Sequence, residues 1–270
     1  MMRELVLGGA GLIGTELVGK LRQAGHSVRS IDLRTGEDLR VIDLDPCLRE
    51  VDRVWFLAWD TGGAKYLTRH ERQHQMYLNN CQLATRVFDA LSRTKIPFLF
   101  VTSQLAGQAT AYGQTKLMAE GWARQLGGHL ARLWNIYGWE SPDERSHVVT
   151  DFVLTGLTQG KVRMMTTGDE RRRFLYKSDG VERLVQFFDG GETAIDVAGR
   201  CWIRIAEMAE EVARQLSCEV ERGELVGEEV MVDPTLVIDD SLPELSLSEG
   251  VARVIQEARG YLGQQRGLLT

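Results

Sequence analysis

Tyr112 and Lys116 stand four residues apart in a segment with helical periodicity, so a phenol and an amine share one face of a predicted helix. A free tyrosine has a pKa of about 10 and is a poor base at neutral pH. A neighbouring ammonium favours the phenolate, and we therefore expect this pair to take up and return a proton. The alternative interpretation is an ordinary pair on an exposed helix.

A glycine-rich turn follows the first predicted strand, residues 3–7. Gly8, Gly11 and Gly14 have the spacing that permits a tight turn, a close backbone approach to a pyrophosphate and close helix–strand packing. Asp32 comes 18 residues after Gly14, at the end of the next predicted strand, where a carboxylate bonds a ribose 2′-hydroxyl. Strand, turn, helix and acid together predict a dinucleotide site. Arg34 could accept a 2′-phosphate, but Asp32 would repel it, so we expect NAD rather than NADP.

Strands alternate with helices through the first half of the chain. The predicted strands are residues 3–7, 27–33, 39–42, 53–58, 98–102 and 129–134, and the predicted helices are residues 14–24, 72–92 and 112–125. The runs 53–58 and 98–102 are continuously apolar, as in parallel strands that are buried on both faces. The pattern predicts an α/β fold with a Rossmann-type, doubly wound parallel sheet.

After Gly138 the pattern changes. Residues 139–176 are interpreted as loop-rich, with a basic run at 171–173. Further on, we predict helices at 179–188, 203–216 and 248–262 and strands at 193–198 and 235–238. The predicted organisation is an NAD-binding domain of residues 1–138 with roughly 177–200, and a smaller, partly interleaved C-terminal substrate lobe of residues 139–176 and 201–270.

Composition excludes several classes of function. A net charge of −6, from 32 basic and 38 acidic residues, argues against a nucleic-acid partner, because phosphate contacts need a basic face. The four cysteines form no Cys-x-x-Cys pair, so neither a zinc site nor any other metal site is expected. No apolar run approaches the roughly 18 residues of a membrane span. The chain begins almost directly with a strand, so we expect no signal peptide and a cytoplasmic location.

Several motifs together resemble the extended short-chain dehydrogenase/reductases that modify nucleotide sugars, the NAD-dependent epimerase/dehydratase family. The matching segments are residues 8–14, 56–58, Asn80 with 87–90, 112–116 and 132–138, with weaker matches at 168–169, 172–176, Asp179 and 246–250. The resemblance covers essentially the whole chain. The chain departs from the family pattern at Leu7 and Arg173, and the stretch between Ser103 and Tyr112, which normally covers the substrate, is short.

The resemblance implies roles for the residues that the motifs contain. Tyr112 would take a proton from a sugar hydroxyl, Lys116 would hold the nicotinamide ribose, and a hydroxyl at the end of strand 98–102 would bond the substrate oxygen. Aligning the strands favours Ser103 for that hydroxyl, whereas counting back from Gly107 favours Thr102. The residues expected around the cofactor are Gly8, Gly11, Leu12, Ile13, Gly14, Asp32, Leu33, Arg34, Asp43, Leu44, Leu57, Ala58, Asn80 and Lys116.

For several other residues, the role that the resemblance implies has an alternative interpretation. Asn80 is interpreted equally well as a cofactor contact and as a structural hydrogen-bonding residue. Asn135 and Arg172, with Tyr112, are expected to contact the substrate, although a three-arginine run is also typical of a solvated surface. Residues 59–63 resemble the Asp-x-Gly-Gly stretch of the GDP-mannose 3,5-epimerase-like group, or are simply a flexible glycine loop.

The implied activity is an NAD-dependent epimerase that acts on a nucleotide-diphosphate sugar by transient oxidation of a hydroxyl to a ketone. Gln104 and Leu105 follow Ser103, where family dehydratases have Asp-Glu and UDP-glucuronate decarboxylases have Glu. The alternatives are a keto-reductase or dehydrogenase, a decarboxylase, and a non-catalytic dinucleotide-sensing regulator. Helices 72–92 and 112–125 resemble the pair that forms a dimer interface in this family, which implies a homodimer.

Overall fold

The computed structural model describes residues 1–228, 234 and 242–267. The strands in these residues are β1 Arg3–Leu7, β2 Ser27–Ile31, β3 Arg53–Phe56, β4 Phe98–Ser103, β5 His129–Leu133, β6 Asn135–Tyr137, β7 Lys161–Arg163, β8 Arg171–Arg172, β9 Phe174–Tyr176, β10 Ala194–Val197, β11 Ile203–Arg204 and β12 Glu219–Glu221. The helices are α1 Leu12–Gln23, α2 Asp45–Leu48, α3 Ala64–Leu67, α4 His70–Ser92, α5 Ala111–Gln125, α6 Val148–Gln159, α7 Lys177–Asp189, α8 Ile205–Leu216 and α9 Leu247–Gly267.

Six strands form the central sheet, in the order β10-β5-β4-β3-β1-β2. Every neighbouring pair is parallel, which confirms the predicted doubly wound sheet. All residues of β3 and β4 are buried, as the two apolar runs indicated. The strand order switches at β1, because β2 is added on one side of β1 and β3 on the other. Open α/β sheets bind ligands at the carboxyl ends of the strands at such a switch point.

Aromatic side chains fill the core between this sheet and the long helix α4. Phe88 of α4 lies 5.4 Å from Phe56 and 5.6 Å from Phe100, measured between ring centroids, in edge-to-face contact. Such pairs add stabilisation beyond the burial of apolar area. The core therefore holds α4 firmly against β3 and β4, whose loops carry the candidate site.

The chain divides into two compact units. Within the described residues, the first contains residues 1–133 and 180–197, and the second contains residues 134–179 and 198–228 with 234 and 242–267. The first unit contains the six-stranded sheet. The second packs α6, α8 and α9 around one apolar core, with three short two-stranded pairings at its margin.

The predicted loop-rich character of residues 139–176 is wrong, because the segment contains α6 and the strands β7, β8 and β9. Helix α6 is rich in valine and threonine, which have modest intrinsic helix propensity. Tertiary burial overrides that propensity, since Val149, Phe152 and Val153 are at most 2% exposed. The predicted helix from Ile203 starts instead at Ile205, because Ile203 and Arg204 form β11.

The predicted strand at 39–42 is also wrong, because these residues form turns. The carboxylate of Asp38 accepts the backbone N–H of Arg40 at 2.9 Å, and the carbonyl of Asp38 accepts those of Val41 and Ile42 at 3.0 Å each. These local bonds satisfy amides that a strand would offer to a neighbour. The predicted strand 27–33 ends at Ile31, and the predicted strand 235–238 lies outside the described residues.

Candidate active site

Tyr112 and Lys116 lie on the first two turns of α5. The hydroxyl of Thr110 caps the helix by accepting the backbone N–H of Gly113 at 3.1 Å. A Cβ at Gly113 would lie 2.6 Å from the carbonyl oxygens of Leu105 and Gln108. Glycine at this position therefore lets the loop after β4 lie directly on the start of α5, which brings Ser103 and Tyr112 together.

The phenol of Tyr112 is 8% exposed and hydrogen-bonded to the side chains of Ser103 and Thr61. Burial raises the pKa of Tyr112, and the two hydrogen bonds oppose that rise without cancelling it. The protein's own groups thus raise the pKa of Tyr112, opposite to the direction that the Tyr-Lys spacing predicted. The reason is that desolvation of a phenolate outweighs two neutral hydroxyl donors.

The ammonium of Lys116 contacts the backbone of β4 and two aromatic rings. Its Nζ donates a 2.7 Å hydrogen bond to the carbonyl of Val101 and lies 4.2 Å and 4.7 Å from the ring centroids of Trp59 and Phe100. The distance from Nζ to the ring centroid of Tyr112 is 5.8 Å. Burial lowers the pKa of Lys116 well below its ordinary value, and the charge of Glu120 opposes this only in part.

Ser103 and Thr102 occupy opposite faces of β4, because successive strand side chains alternate. The hydroxyl of Thr102 donates a 2.8 Å hydrogen bond to the buried carboxylate of Glu120, which lies two turns after Tyr112 on α5. Ser103 Oγ accepts the backbone N–H of Leu105 at 3.1 Å and contacts Tyr112. The structure thus brings Ser103, and not Thr102, to the tyrosine.

The glycine turn leaves a space that the chain itself does not fill. Gly8 has φ +96°, and a Cβ there would lie 2.5 Å from the backbone nitrogen of Ala58. A Cβ at Gly14 would lie 2.1 Å from the carbonyl oxygen of Gly8, whereas one at Gly11 would meet nothing nearer than 3.6 Å. No side chain caps the N-terminus of α1, so the backbone amides of Leu12 and Ile13 face this space at the positive end of the helix. The cradle therefore fits a pyrophosphate.

Asp32 and Arg34 both bond to the glycine turn. The two carboxylate oxygens of Asp32 accept the backbone N–H groups of Ala10 at 3.0 Å and Arg34 at 2.8 Å, and Arg34 Nη1 donates to the carbonyl of Ala10 at 3.0 Å. A carboxylate accepts about four hydrogen bonds, so capacity for ribose hydroxyls is left. A negative group at this position suits NAD better than NADP. Leu33, the residue after Asp32, is 62% exposed.

The remaining predicted cofactor residues separate into two groups. The backbone N–H groups of Leu57 and Ala58 both donate to the carbonyl of Leu7 at 2.8 Å, which fixes them beside the glycine turn. Leu44 is buried in the hydrophobic core, and exposed Asp43 accepts the backbone N–H of Asp45 at 3.1 Å. Leu57 and Ala58 therefore lie beside the glycine turn, whereas the side chain of Leu44 packs in the hydrophobic core.

Asn80 is fully buried, and its amide holds the loop after β3. Its Oδ1 accepts the backbone N–H of Asp60 at 2.7 Å, and its Nδ2 donates to the carbonyl of Asp60 at 3.2 Å. These contacts favour the structural interpretation of Asn80. The loop that it holds contains Trp59 and Thr61, which belong to the 59–63 stretch noted in the sequence but were not predicted as site residues. Their position directly after a buried parallel strand is the signal that could have indicated them.

Asn135 and Arg172 belong to the second unit. Asn135 begins β6, which pairs in parallel with β9. Arg172 lies in β8 and donates to the backbone carbonyls of Arg171 at 2.8 Å and Glu228 at 2.7 Å. Within the described residues, no group of three or more side chains could hold a metal ion. No helix in the described ranges is long and apolar enough to cross a membrane.

Comparison with known proteins gives one family and a set of distant relatives. Residues 4–196 match the model of the NAD dependent epimerase/dehydratase family. The chain is 26% identical over 260 residues to UDP-glucuronic acid decarboxylase 3 of Arabidopsis thaliana, covering 82% of this chain and 76% of that protein. It is 26% identical over 221 residues to UDP-glucuronic acid decarboxylase 1 of Xenopus tropicalis, covering 68% and 52%.

Solved structures show the same fold at lower identity. An epimerase from Methanothermobacter thermautotrophicus superposes with a TM-score of 0.83 at 19% identity, over 98% of this chain and 94% of that one. The UDP-glucuronic acid 4-epimerase of Bacillus cereus, in complex with UDP-glucuronic acid and NAD, superposes with a TM-score of 0.79 at 20% identity, over 96% and 100%.

Proposed function

The chain belongs to the NAD-dependent epimerase/dehydratase family, and on that premise we propose that it is an epimerase of nucleotide-diphosphate sugars. The observation that carries the proposal is the hydrogen bond between the buried phenol of Tyr112 and Ser103, at the carboxyl end of β4. That edge of the sheet also carries the glycine cradle after β1. A proton-transfer pair and a dinucleotide cradle on one sheet edge are the parts that reversible oxidation of a hydroxyl requires.

Each residue has a proposed role in that chemistry. NAD, when bound, supplies the acceptor and later the donor of a hydride. Ser103 bonds the oxygen of the reacting sugar hydroxyl, and Tyr112 takes the proton of that hydroxyl as the carbon gives up its hydride. Lys116 would hold the nicotinamide ribose. Tyr112 would return the proton to the ketone oxygen, and because the cofactor would also return its hydride, no net oxidation would occur.

We assign the cradle of residues 8–14, with Asp32 and the loop at 57–58, to the cofactor, and the second unit to the substrate. Asn135 and Arg172 are the proposed contacts for the sugar or the diphosphate, because an amide and a guanidinium bind phosphate oxygens well. Arg172→Ala should raise KM for the nucleotide sugar roughly tenfold or more. Arg171→Ala, the neighbouring exposed arginine, is the matched control.

A decarboxylase is the second candidate, because decarboxylases that act on UDP-glucuronic acid are among the relatives at 26% identity. A ketone next to the carbon that bears a carboxylate facilitates loss of CO₂, so the same first step would serve. The epimerase is preferred because Gln104 and Leu105 follow Ser103, and neither side chain can transfer a proton. A keto-reductase is less favoured, since Asp32 disfavours the 2′-phosphate of NADP.

Product analysis with UDP-glucuronic acid and UDP-glucose decides between these activities. We expect interconversion of sugar epimers, followed by nuclear magnetic resonance, without net change in the absorbance of reduced nicotinamide. Released CO₂ would identify a decarboxylase, and net reduction of NAD would identify a dehydrogenase. NAD binding without any turnover would identify a dinucleotide-sensing regulator. Tyr112→Phe should abolish turnover and leave NAD binding unchanged.

We also propose that the protein is a homodimer joined through α4 and α5. Four apolar side chains on these helices are 41–49% exposed, and they are Tyr77, Leu78, Leu117 and Met118. Exposed apolar groups on two adjoining helices are typical of a helical interface. Leu117→Glu should convert the dimer to a monomer in light scattering, whereas Met165→Glu, a control at an exposed residue of the second unit, should not. A monomeric wild type would contradict the proposal.

A further inference from the structure

We propose that Thr61 is a further catalytic residue, whose hydroxyl donates a hydrogen bond to the phenolate of Tyr112 while Ser103 is engaged by the substrate. The inference rests on the proposed function and names a third member of the proton-transfer group. Thr61 lies in the loop after β3, and its side chain is hydrogen-bonded to the phenol. It therefore touches the atom that gives and takes the proton.

The loop that carries Thr61 is held by hydrogen bonds to the backbone and to the side chain of Asp60. Asn80 bonds both the backbone N–H and the carbonyl of Asp60, at 2.7 Å and 3.2 Å. The carboxylate of Asp60 accepts the hydroxyl of Tyr66 at 2.8 Å and the amide of Asn79 at 2.7 Å. Four hydrogen bonds to Asp60 fix the backbone position of Thr61, the next residue. The hydroxyl of Thr61 is therefore positioned before substrate arrives.

Proton counting shows why a second hydroxyl is useful. A serine hydroxyl has one proton to donate. The oxygen of Ser103 already accepts the backbone N–H of Leu105, and its proton is the one that the proposed mechanism directs to the substrate oxygen. Once that proton is committed, Ser103 cannot also donate to the phenolate. Thr61 remains as a donor for the charge that forms on Tyr112.

The position of Lys116 strengthens the need for such a donor. Its Nζ bonds the carbonyl of Val101 and lies 4.2 Å from the ring centroid of Trp59. In the described part of the chain, the two side chains hydrogen-bonded to the phenol of Tyr112 are the hydroxyls of Ser103 and Thr61. Stabilisation by Lys116 is therefore through space, whereas Thr61 acts by direct contact.

The comparison of Thr61→Val with Thr61→Ser tests the inference, because valine keeps the shape and removes the hydroxyl. The titratable groups on the elements around Tyr112, which are Lys116, Glu120, Tyr66 and Asp60, are unchanged in both variants. Phenolate absorbance, taken as a difference from Tyr112→Phe, gives the pKa of Tyr112 without any need for turnover. Thr61→Val should raise that pKa by about one unit and slow turnover about tenfold at neutral pH, with KM unchanged.

Thr61→Ser should restore both quantities, and Thr158→Val, an exposed threonine of α6, should alter neither. Active Thr61→Val protein with an unchanged pKa and rate overturns the role of Thr61. A shifted pKa in a protein that turns over no nucleotide sugar supports the contact between Thr61 and Tyr112 and overturns the epimerase proposal instead. Thermal unfolding of each variant confirms that the compared proteins are folded.

Discussion

Lys116 Nζ lies 4.2 Å from the ring centroid of Trp59, and the side chain of Lys116 is almost fully buried. A cation over an indole ring is stabilised by the quadrupole of the ring, most strongly where water is excluded. The contact favours the charged form of the amine, whereas desolvation favours the neutral form and lowers the pKa of Lys116. It links the loop after β3 to α5, the helix that carries Tyr112.

Lys116 should make stability depend on pH in alkaline solution. Burial lowers the pKa of Lys116, so the unfolded chain binds this proton more tightly than the folded protein does. The free energy of unfolding of the wild type should therefore rise relative to that of Lys116→Met as the pH increases toward the ordinary lysine pKa of about 10.4. Urea unfolding across this range measures the difference. A constant difference would contradict the prediction.

Arg53 should be essential for folding although it lies away from the candidate site. Its guanidinium donates to both carboxylate oxygens of Glu4 at 2.8 Å, and the side chain of Glu4 is 0% exposed. Arg53→Ala removes the guanidinium and leaves the buried carboxylate with Trp55 Nε1 and His26 Nδ1 as its partners, which costs about 3–5 kcal/mol of unfolding free energy. Urea unfolding measures the loss. Arg3→Ala, which removes an exposed pair with Asp52, should leave the midpoint nearly unchanged.

Gly11 and Gly14 should respond differently to alanine. A methyl group at Gly14 would collide with the carbonyl of Gly8, whereas one at Gly11 meets no atom nearer than 3.6 Å. Gly14→Ala should therefore lower the unfolding midpoint. Gly11→Ala should fold like the wild type and bind NAD at least about tenfold more weakly, because the methyl group occupies the pyrophosphate space. Calorimetric titration with NAD, beside urea unfolding, separates the two effects, and normal NAD affinity in Gly11→Ala would contradict the assignment of the cradle.

His147 should stabilise the second unit in acidic solution. Burial by itself would lower the pKa of His147, but the hydrogen bond and charge of Glu140, with smaller effects of Asp151 and Asp143, raise it. The stabilisation is fully present below the ordinary value of about 6.5 and disappears as the pH rises through the raised pKa. The advantage of the wild type over His147→Gln in thermal unfolding should shrink across that interval. An advantage that grows with pH would reverse the assigned sign.

Sequence alone predicted the features that depend on local spacing. Each of these features depends on residues that are close together in the chain. They are the glycines at 8, 11 and 14, the apolar runs at 53–58 and 98–102, and the Tyr112–Lys116 pair. The parallel sheet that the apolar runs predicted is confirmed. The strand at 39–42 and the loop-rich segment at 139–176 were mispredicted. Residues 39–42 form turns because the side chain of Asp38 bonds the local backbone. Residues 148–159 form a helix because they are buried in a core made of elements that are distant in the chain.

The tertiary structure alone decided which polar groups meet. Thr102 and Ser103 are adjacent in sequence, yet the alternation of β4 sends one to Glu120 and the other to Tyr112. Thr61 lies 51 residues before Tyr112 in the chain, so no local pattern pairs them. Lys116 has the spacing of a direct partner for Tyr112, but the carbonyl of Val101 and the ring of Trp59 draw its ammonium elsewhere. Sequence spacing determines which side chains share an element, whereas desolvation and hydrogen-bond geometry in the folded chain determine what each of them contacts.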